Sequence, residues 1–147
     1  MTSVLIIGGG GMIGQKLASS FSTNDSLTLL DIGFPNKNQS NARKIIGSVG
    51  DPEIIENSLK DLPEVIYYLA SVVSGEAEAD FSKGWDVNIH AFWAFLSLVK
   101  KLNEKSQGQY KPKIIFTSSI AVFGSPFPNQ IPDDFIAAPR TSYGAQK

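Results

Sequence analysis

The chain has 147 residues, room for one domain with a real core, and its 13 Lys and Arg against 14 Asp and Glu leave a net charge of -1, which excludes a broad basic face for nucleic acid. It has no cysteine and one histidine, which excludes disulfides and thiolate catalysis and argues against a zinc site, so no metal is expected. The first apolar run ends at once in glycine, unlike a signal peptide, and no stretch approaches a membrane span; a soluble, cytoplasmic protein is expected, with no membrane partner.

Strand and helix then alternate along the chain. Residues 3–7 carry the run Val4-Leu5-Ile6-Ile7 and read as a central parallel strand, followed by the glycine-rich Gly8-Gly9-Gly10-Gly11-Met12-Ile13-Gly14 and a helix over 11–21. Gly8, Gly11 and Gly14 fall in a G-x-x-G-x-x-G spacing, although Gly9 and Gly10 leave a G-x-G-x-x-G-like register open. In the first register Gly8 permits the tight turn, Gly11 lets the backbone approach a pyrophosphate, and Gly14 lets the helix lie close to the sheet. The helix start offers N–H groups and a positive dipole end to phosphates. A second strand over 27–31 ends in Asp31, about 20 residues after the turn, where a carboxylate accepts hydrogen bonds from an adenosine ribose.

A polar loop over 33–40 leads to a third strand over 44–48, and Asp51-Pro52 opens a helix that runs through residue 62. The fourth strand is 65–69, a long helix covers 79–104, and the fifth strand is 113–117. Residues 121–139 are loop-rich, with four prolines, and Thr141 opens a last helix. The expected fold is a Rossmann-type doubly wound parallel α/β sheet in the order 3-2-1-4-5, spanning residues 1–147. Its ligand belongs at the carboxyl ends of strands 1 and 4. On the long helix, Trp85, Ile89, Phe92, Leu96 and Val99 form one stripe expected to pack on the sheet. Trp93 and Phe95 lie on other faces and suggest a second buried surface, as in a homodimer; His90 reads as a packed or interface residue.

Tyr143-Gly144-Ala145-Gln146-Lys147 sets a phenol and an ammonium four residues apart, on one helical face. A phenol with a pKa of about 10 is a poor base at neutral pH, and an adjacent ammonium favours its ionised form. Such a pair suits proton exchange with a substrate hydroxyl. Upstream, Ile114-Ile115-Phe116-Thr117-Ser118-Ser119 is a strand whose carboxyl end, with its paired serines, points to the same crevice.

This ordered set of Gly8, Gly11, Gly14, Asp31, Gly50-Asp51, Leu69-Ala70-Ser71, Ser119 and Tyr143-x-x-x-Lys147 resembles the extended short-chain dehydrogenase/reductases, the NAD-dependent epimerase/dehydratase family. The resemblance covers essentially the whole chain. It implies NAD as cofactor, cradled by Gly8, Gly11, Met12, Ile13 and Gly14, with Asp51 facing the adenine and Leu69, Ala70 and Ser71 lining the site. It implies a substrate hydrogen bond from Ser119, general acid/base duty for Tyr143, and a nicotinamide-ribose contact from Lys147. Ser118 is the alternative serine. Asn88 matches a helix asparagine that supports the active site and is grouped with the cofactor residues. Phe123 departs from the tyrosine usual before Gly124.

A narrower likeness, through residues 71–81, Ser118 to Gly124 and Ile131-Pro132-Asp133-Asp134, is to the D-erythronate dehydrogenase branch. Ser74 and the Gly75 amide then face a carboxylate or hydroxyls; equally, Glu76, Glu78 and Asp80 suit a solvated loop and the start of a helix. The resemblance implies hydride transfer on a sugar acid or nucleotide sugar. The rival is a non-catalytic NAD(P)-binding fragment or regulatory homologue. Chains of this family carry later strands and a substrate domain, so residues 1–147 are expected to form an N-terminal portion with little activity alone and an apolar edge at the fifth strand.

Overall fold

β1 (Ser3–Ile7) is apolar because both its faces are covered: Val4 and Ile6 point into one layer, Leu5 and Ile7 into the other, and all four are buried. The structure, a computed structural model, describes residues 2–35 and 42–147. β1 pairs in parallel with β2 (Ser26–Asp31) on one side and β4 (Val65–Tyr68) on the other. β3 (Arg43–Ile46) lies beyond β2 and β5 (Lys113–Phe116) beyond β4, giving the all-parallel order β3-β2-β1-β4-β5 that the sequence predicts. Most of the 33–40 loop expected before β3 lies outside the described residues.

Helices cover both faces. α1 (Met12–Ala18) contributes Ala18 and Leu17 to the layer of Val4, Ile6 and Leu29. α2 (Pro52–Leu59) begins as its sequence signals, with Asp51 as the cap accepting from Glu53 N–H at 3.0 Å and proline in the first turn. It packs with α5 (Ala91–Lys105) over Leu5, Ile7, Leu30, Ile66 and Tyr68. Tyr110 joins this layer, its hydroxyl donating to the Pro63 carbonyl at 3.1 Å, and burial pushes its phenol up to about 12.

The helix expected over 79–104 is continuous from Phe81 to Lys105 through a π-type turn, and a separate short helix precedes it. α3 (Ser74–Ala79) ends at Asp80, whose extended backbone (φ -128°, ψ 90°) interrupts the helix and whose side chain caps α4 (Phe81–Trp85). One π-type turn over Asp86–His90 then runs into α5. The buried stripe is Gly84, Asn88, Ala91, Phe95 and Val99, one residue before the expected one at its first four positions; Val99 is common to both, and Phe92, partly buried, still packs on the core. Phe95 is a core residue, 5.2 Å between ring centroids from Tyr68, whereas Leu96 is partly exposed and Trp93 is 71% exposed. His90 is not packed: it lies on the surface, 3.0 Å from the Asp86 carboxylate.

The corrected phase makes a stability prediction. Phe95→Ala should lower unfolding stability by about 3–5 kcal/mol, the usual cost of emptying a large aromatic site, while Leu96→Ala should cost at most about 1 kcal/mol. Urea unfolding of the two variants checks the assignment, and the reverse ranking would restore the original stripe.

Candidate active site

The glycine-rich turn is shaped by backbone packed on backbone. Gly8 has φ +91°, and a Cβ there would lie 2.7 Å from the Ala70 nitrogen. A Cβ on Gly14 would meet the Gly8 carbonyl oxygen at 2.2 Å, so α1 can approach β1 only without a side chain. Around Gly11 the space is open, the Gly8 oxygen at 3.5 Å being the near neighbour, and no side chain caps α1, whose first turn holds no acid. Those are the properties a pyrophosphate requires, and they fit the register Gly8, Gly11, Gly14. Met12 and Ile13 stand exposed at the helix start.

Gly10 has a part that the sequence reading did not give it. Its N–H donates to Asp31 Oδ2 at 2.8 Å, and a Cβ would lie 2.1 Å from the Gly33 carbonyl oxygen. Asp31 Oδ1 accepts from Ile32 N–H at 2.7 Å. The carboxylate expected at the ribose thus also ties the glycine turn to β2; with about four lone-pair sites it keeps acceptor capacity for a ligand. The strand ends are tied in turn: Gly8 and Gly9 N–H donate to the Leu30 carbonyl, and Leu69 and Ala70 N–H to the Ile7 carbonyl. Leu69 and Ala70 therefore run beside Gly8, with Ser71 next in the chain. Asp51 stands exposed at the start of α2, beyond β3, with its side chain engaged as the helix cap.

Across the crevice, α6 (Ser142–Gln146) carries Tyr143 and leads into Lys147. Thr141 caps it, Oγ1 accepting from Gly144 N–H at 3.0 Å, and Glu78 from α3 accepts from Tyr143 N–H at 2.7 Å. Gly144 lets α6 rest on the 3-10 turn Ile120–Val122, where a Cβ would strike the Ala121 oxygen at 2.2 Å. Ser119 is the first residue before that turn, its Oγ accepting from Ala121 N–H at 3.2 Å. Ser118, the alternative, donates to the Lys147 carbonyl at 3.1 Å. Lys147 Nζ sits 4.8 Å from the Phe116 ring centroid, and burial lowers its pKa below the usual lysine value.

Asn88 is 3% exposed and its amide is engaged within the protein. Oδ1 accepts from Val72 N–H at 2.8 Å, and Nδ2 donates to the Val72 carbonyl at 3.1 Å and to Gln146 Oε1 at 2.7 Å. All three bonds stay within the protein and join the Val72 loop to α6. The acidic segment is structural too. Glu76 pairs with Lys83, Glu78 caps α6 and Asp80 caps α4. Among the described residues no group of acids and histidine is arranged to hold a metal, and no helix is long and apolar enough to cross a membrane.

A glycine-shaped dinucleotide cradle at the switch point of a 3-2-1-4-5 parallel sheet defines a Rossmann-type nucleotide-binding protein. The particular family follows from residues 4–147, which match the NAD dependent epimerase/dehydratase family; the chain belongs to that family. It is 34% identical to a D-erythronate dehydrogenase of Cupriavidus necator over 99% of this chain and 47% of that one. A D-erythronate dehydrogenase of Haemophilus influenzae is 31% identical over 98% of this chain and 46% of its own. Among solved structures, a nucleoside-diphosphate-sugar epimerase from Agrobacterium tumefaciens superposes with TM-score 0.85 at 37% identity, covering 99% of this chain and 45% of that one. The chain spans about half the length of the curated relatives it matches.

NAD should bind more tightly than NADP. The Asp31 carboxylate would accept from a ribose hydroxyl but repel a 2'-phosphate, and residues 32–36 contain no lysine or arginine to neutralise one. Asp31→Ala should weaken NAD binding doubly, since it also frees the Gly10 amide. Calorimetric titration with both nucleotides checks this, and tighter NADP binding overturns it.

Proposed function

We propose that the protein is an NAD-dependent dehydrogenase that oxidises a hydroxyl of a small sugar acid of the D-erythronate class, with Ser119, Tyr143 and Lys147 as its reacting groups. The observation that carries this reading is the seating of α6 on the Ser119 turn at the carboxyl end of β5, in the sheet whose β1 ends in the glycine cradle. NAD would be held by Gly8, Gly11, Met12, Ile13, Gly14, Asp31, Asp51 and the 69–71 loop. When bound it supplies the two-electron acceptor for the hydrogen on the carbinol carbon.

The chain's own groups handle the proton. The Ser119 hydroxyl orients the substrate oxygen, and the Tyr143 phenolate takes the hydroxyl proton as the carbonyl forms. The Lys147 ammonium favours that phenolate and binds the nicotinamide ribose. Lys147 lies partly buried against Phe116, and that burial lowers its pKa. The protein is proposed to be cytoplasmic and to work as a homodimer, with the exposed Trp93 of α5 as its contact.

A second reading, epimerisation of a nucleoside-diphosphate sugar, is favoured by the likeness to the Agrobacterium structure. The two differ in stoichiometry. A dehydrogenase accumulates NADH with D-erythronate, whereas an epimerase returns the reducing equivalents to its substrate and accumulates none. In the full-length protein, Tyr143→Phe should lower kcat by about 10²–10⁴-fold with NAD affinity nearly unchanged. Lys147→Ala should impair both. NADH formation with D-erythronate, followed by absorbance, tests activity and role together; near-normal turnover by Tyr143→Phe would sink the acid/base assignment.

A further inference from the structure

Between the two catalytic candidates on α6 lies Gln146, 2% exposed although it is a polar residue on a helix of five residues. Burying an amide is costly unless both its ends are bonded, and here both are. Oε1 accepts from Asn88 Nδ2 at 2.7 Å and Nε2 donates to Ser142 Oγ at 2.9 Å; Ser142 Oγ also accepts from Trp85 Nε1 at 3.2 Å. The room for that amide is made by Gly84, where a Cβ would lie 2.8 Å from Gln146 Nε2 and 3.0 Å from Oε1. Asn88 in turn grips both backbone polar groups of Val72, one residue after the 69–71 loop. Gly84 and Asn88 stand four residues apart and so share the buried face of this helical segment.

We propose that Gln146 is a positioning residue: through Asn88 it holds α6, and with it Tyr143 and Lys147, in register with the loop after β4. The proposal rests on the Ser119, Tyr143 and Lys147 reading above. Gln146 directly precedes Lys147 and follows Tyr143 by three residues, so a rotation of α6 that broke the amide contact would carry both functional groups with it. Neither Gln146 nor Asn88 touches substrate in this account. Their effect is on where the phenol and the ammonium stand.

The test uses the full-length protein and compares Gln146→Met, which keeps length but loses both hydrogen bonds, with Gln146→Glu. A carboxyl group can accept from Asn88 Nδ2 and bond the Ser142 hydroxyl in either protonation state. Three quantities are measured: NAD affinity by calorimetry, kcat and KM for D-erythronate, and Tm. Gln146→Met should lose on the order of a hundredfold in kcat, as a displacement of about 1 Å costs at a reacting pair, with KM for D-erythronate near wild type. It should also weaken NAD binding in the direction of Lys147→Ala, and Gln146→Glu should recover most of both losses. Ser142→Ala, a smaller lesion of the same contact, should show a weaker loss of the same kind.

Wild-type kcat and NAD affinity in Gln146→Met, measured beside a Tyr143→Phe protein that is inactive and a Lys147→Ala protein that binds NAD poorly, would overturn the proposal alone. Equal losses in the Met and Glu variants, tracking a fall in Tm, would overturn it as well, because a merely structural residue behaves so. Full activity in Tyr143→Phe would instead remove the catalytic reading on which it rests. The NAD titrations discriminate even where D-erythronate is not turned over.

Discussion

Two carbonyl oxygens at the ends of neighbouring strands fix the centre of this molecule. The Ile7 oxygen accepts from Leu69 and Ala70, and the Leu30 oxygen accepts from Gly8 and Gly9. The chain leaving β1 must therefore pass between the ends of β2 and β4, where there is no space for a Cβ on Gly8 or Gly14. Everything nearby inherits that closeness: the steep entry of α1, the uncapped amides at its start, the reach of Asp31 to Gly10, and the path of the 69–71 loop. Methyl groups here would not simply crowd a pocket. They would push apart the three strand ends from which it is built.

The layers on either side of the sheet keep this centre rigid. β1 shares its side chains evenly between two apolar clusters, and Tyr68, Phe92, Phe95 and Phe116 form a connected aromatic group under β4 and β5. Phe116 has two roles in that group. One edge belongs to the core, while its face carries the Lys147 ammonium, so the packing of α5 bears on the position of a charged group at the site. Such a contact is worth about 0.5–2 kcal/mol, enough to bias a side chain but not to immobilise it.

The strands and their order were legible because buried parallel strands are written as short, uninterrupted apolar runs bounded by glycine, proline and aspartate, as at residues 3–7 and 65–68. Asp51-Pro52 and Thr141 announced helix starts for equally local reasons. The apolar pattern leaves the long helix open to a shift of one residue, because stripes through Phe95 and through Leu96 both fit a 3.6-residue period; burial selects Phe95, and Asp80 separates this helix from α3. The candidate site divides along the same line. Gly8, Gly14, Tyr143 and Lys147 lie in short motifs, whereas Glu78 and Asn88 meet α6 from sequence separations of 65 and 58 residues, and no local signal marks such partners.

The way α6 is held has a consequence for how the site comes into being. The order of α6 is lent by Glu78, Thr141, Trp85 and Asn88, three of which lie more than fifty positions upstream. The helix that presents the phenol thus depends on contacts that exist only once residues 74–90 are in place. Because opening at α6 and opening at residues 74–90 share these bonds, slow amide exchange in one segment entails slow exchange in the other, and a molecule that steadies the Val72 loop steadies the phenol without touching it.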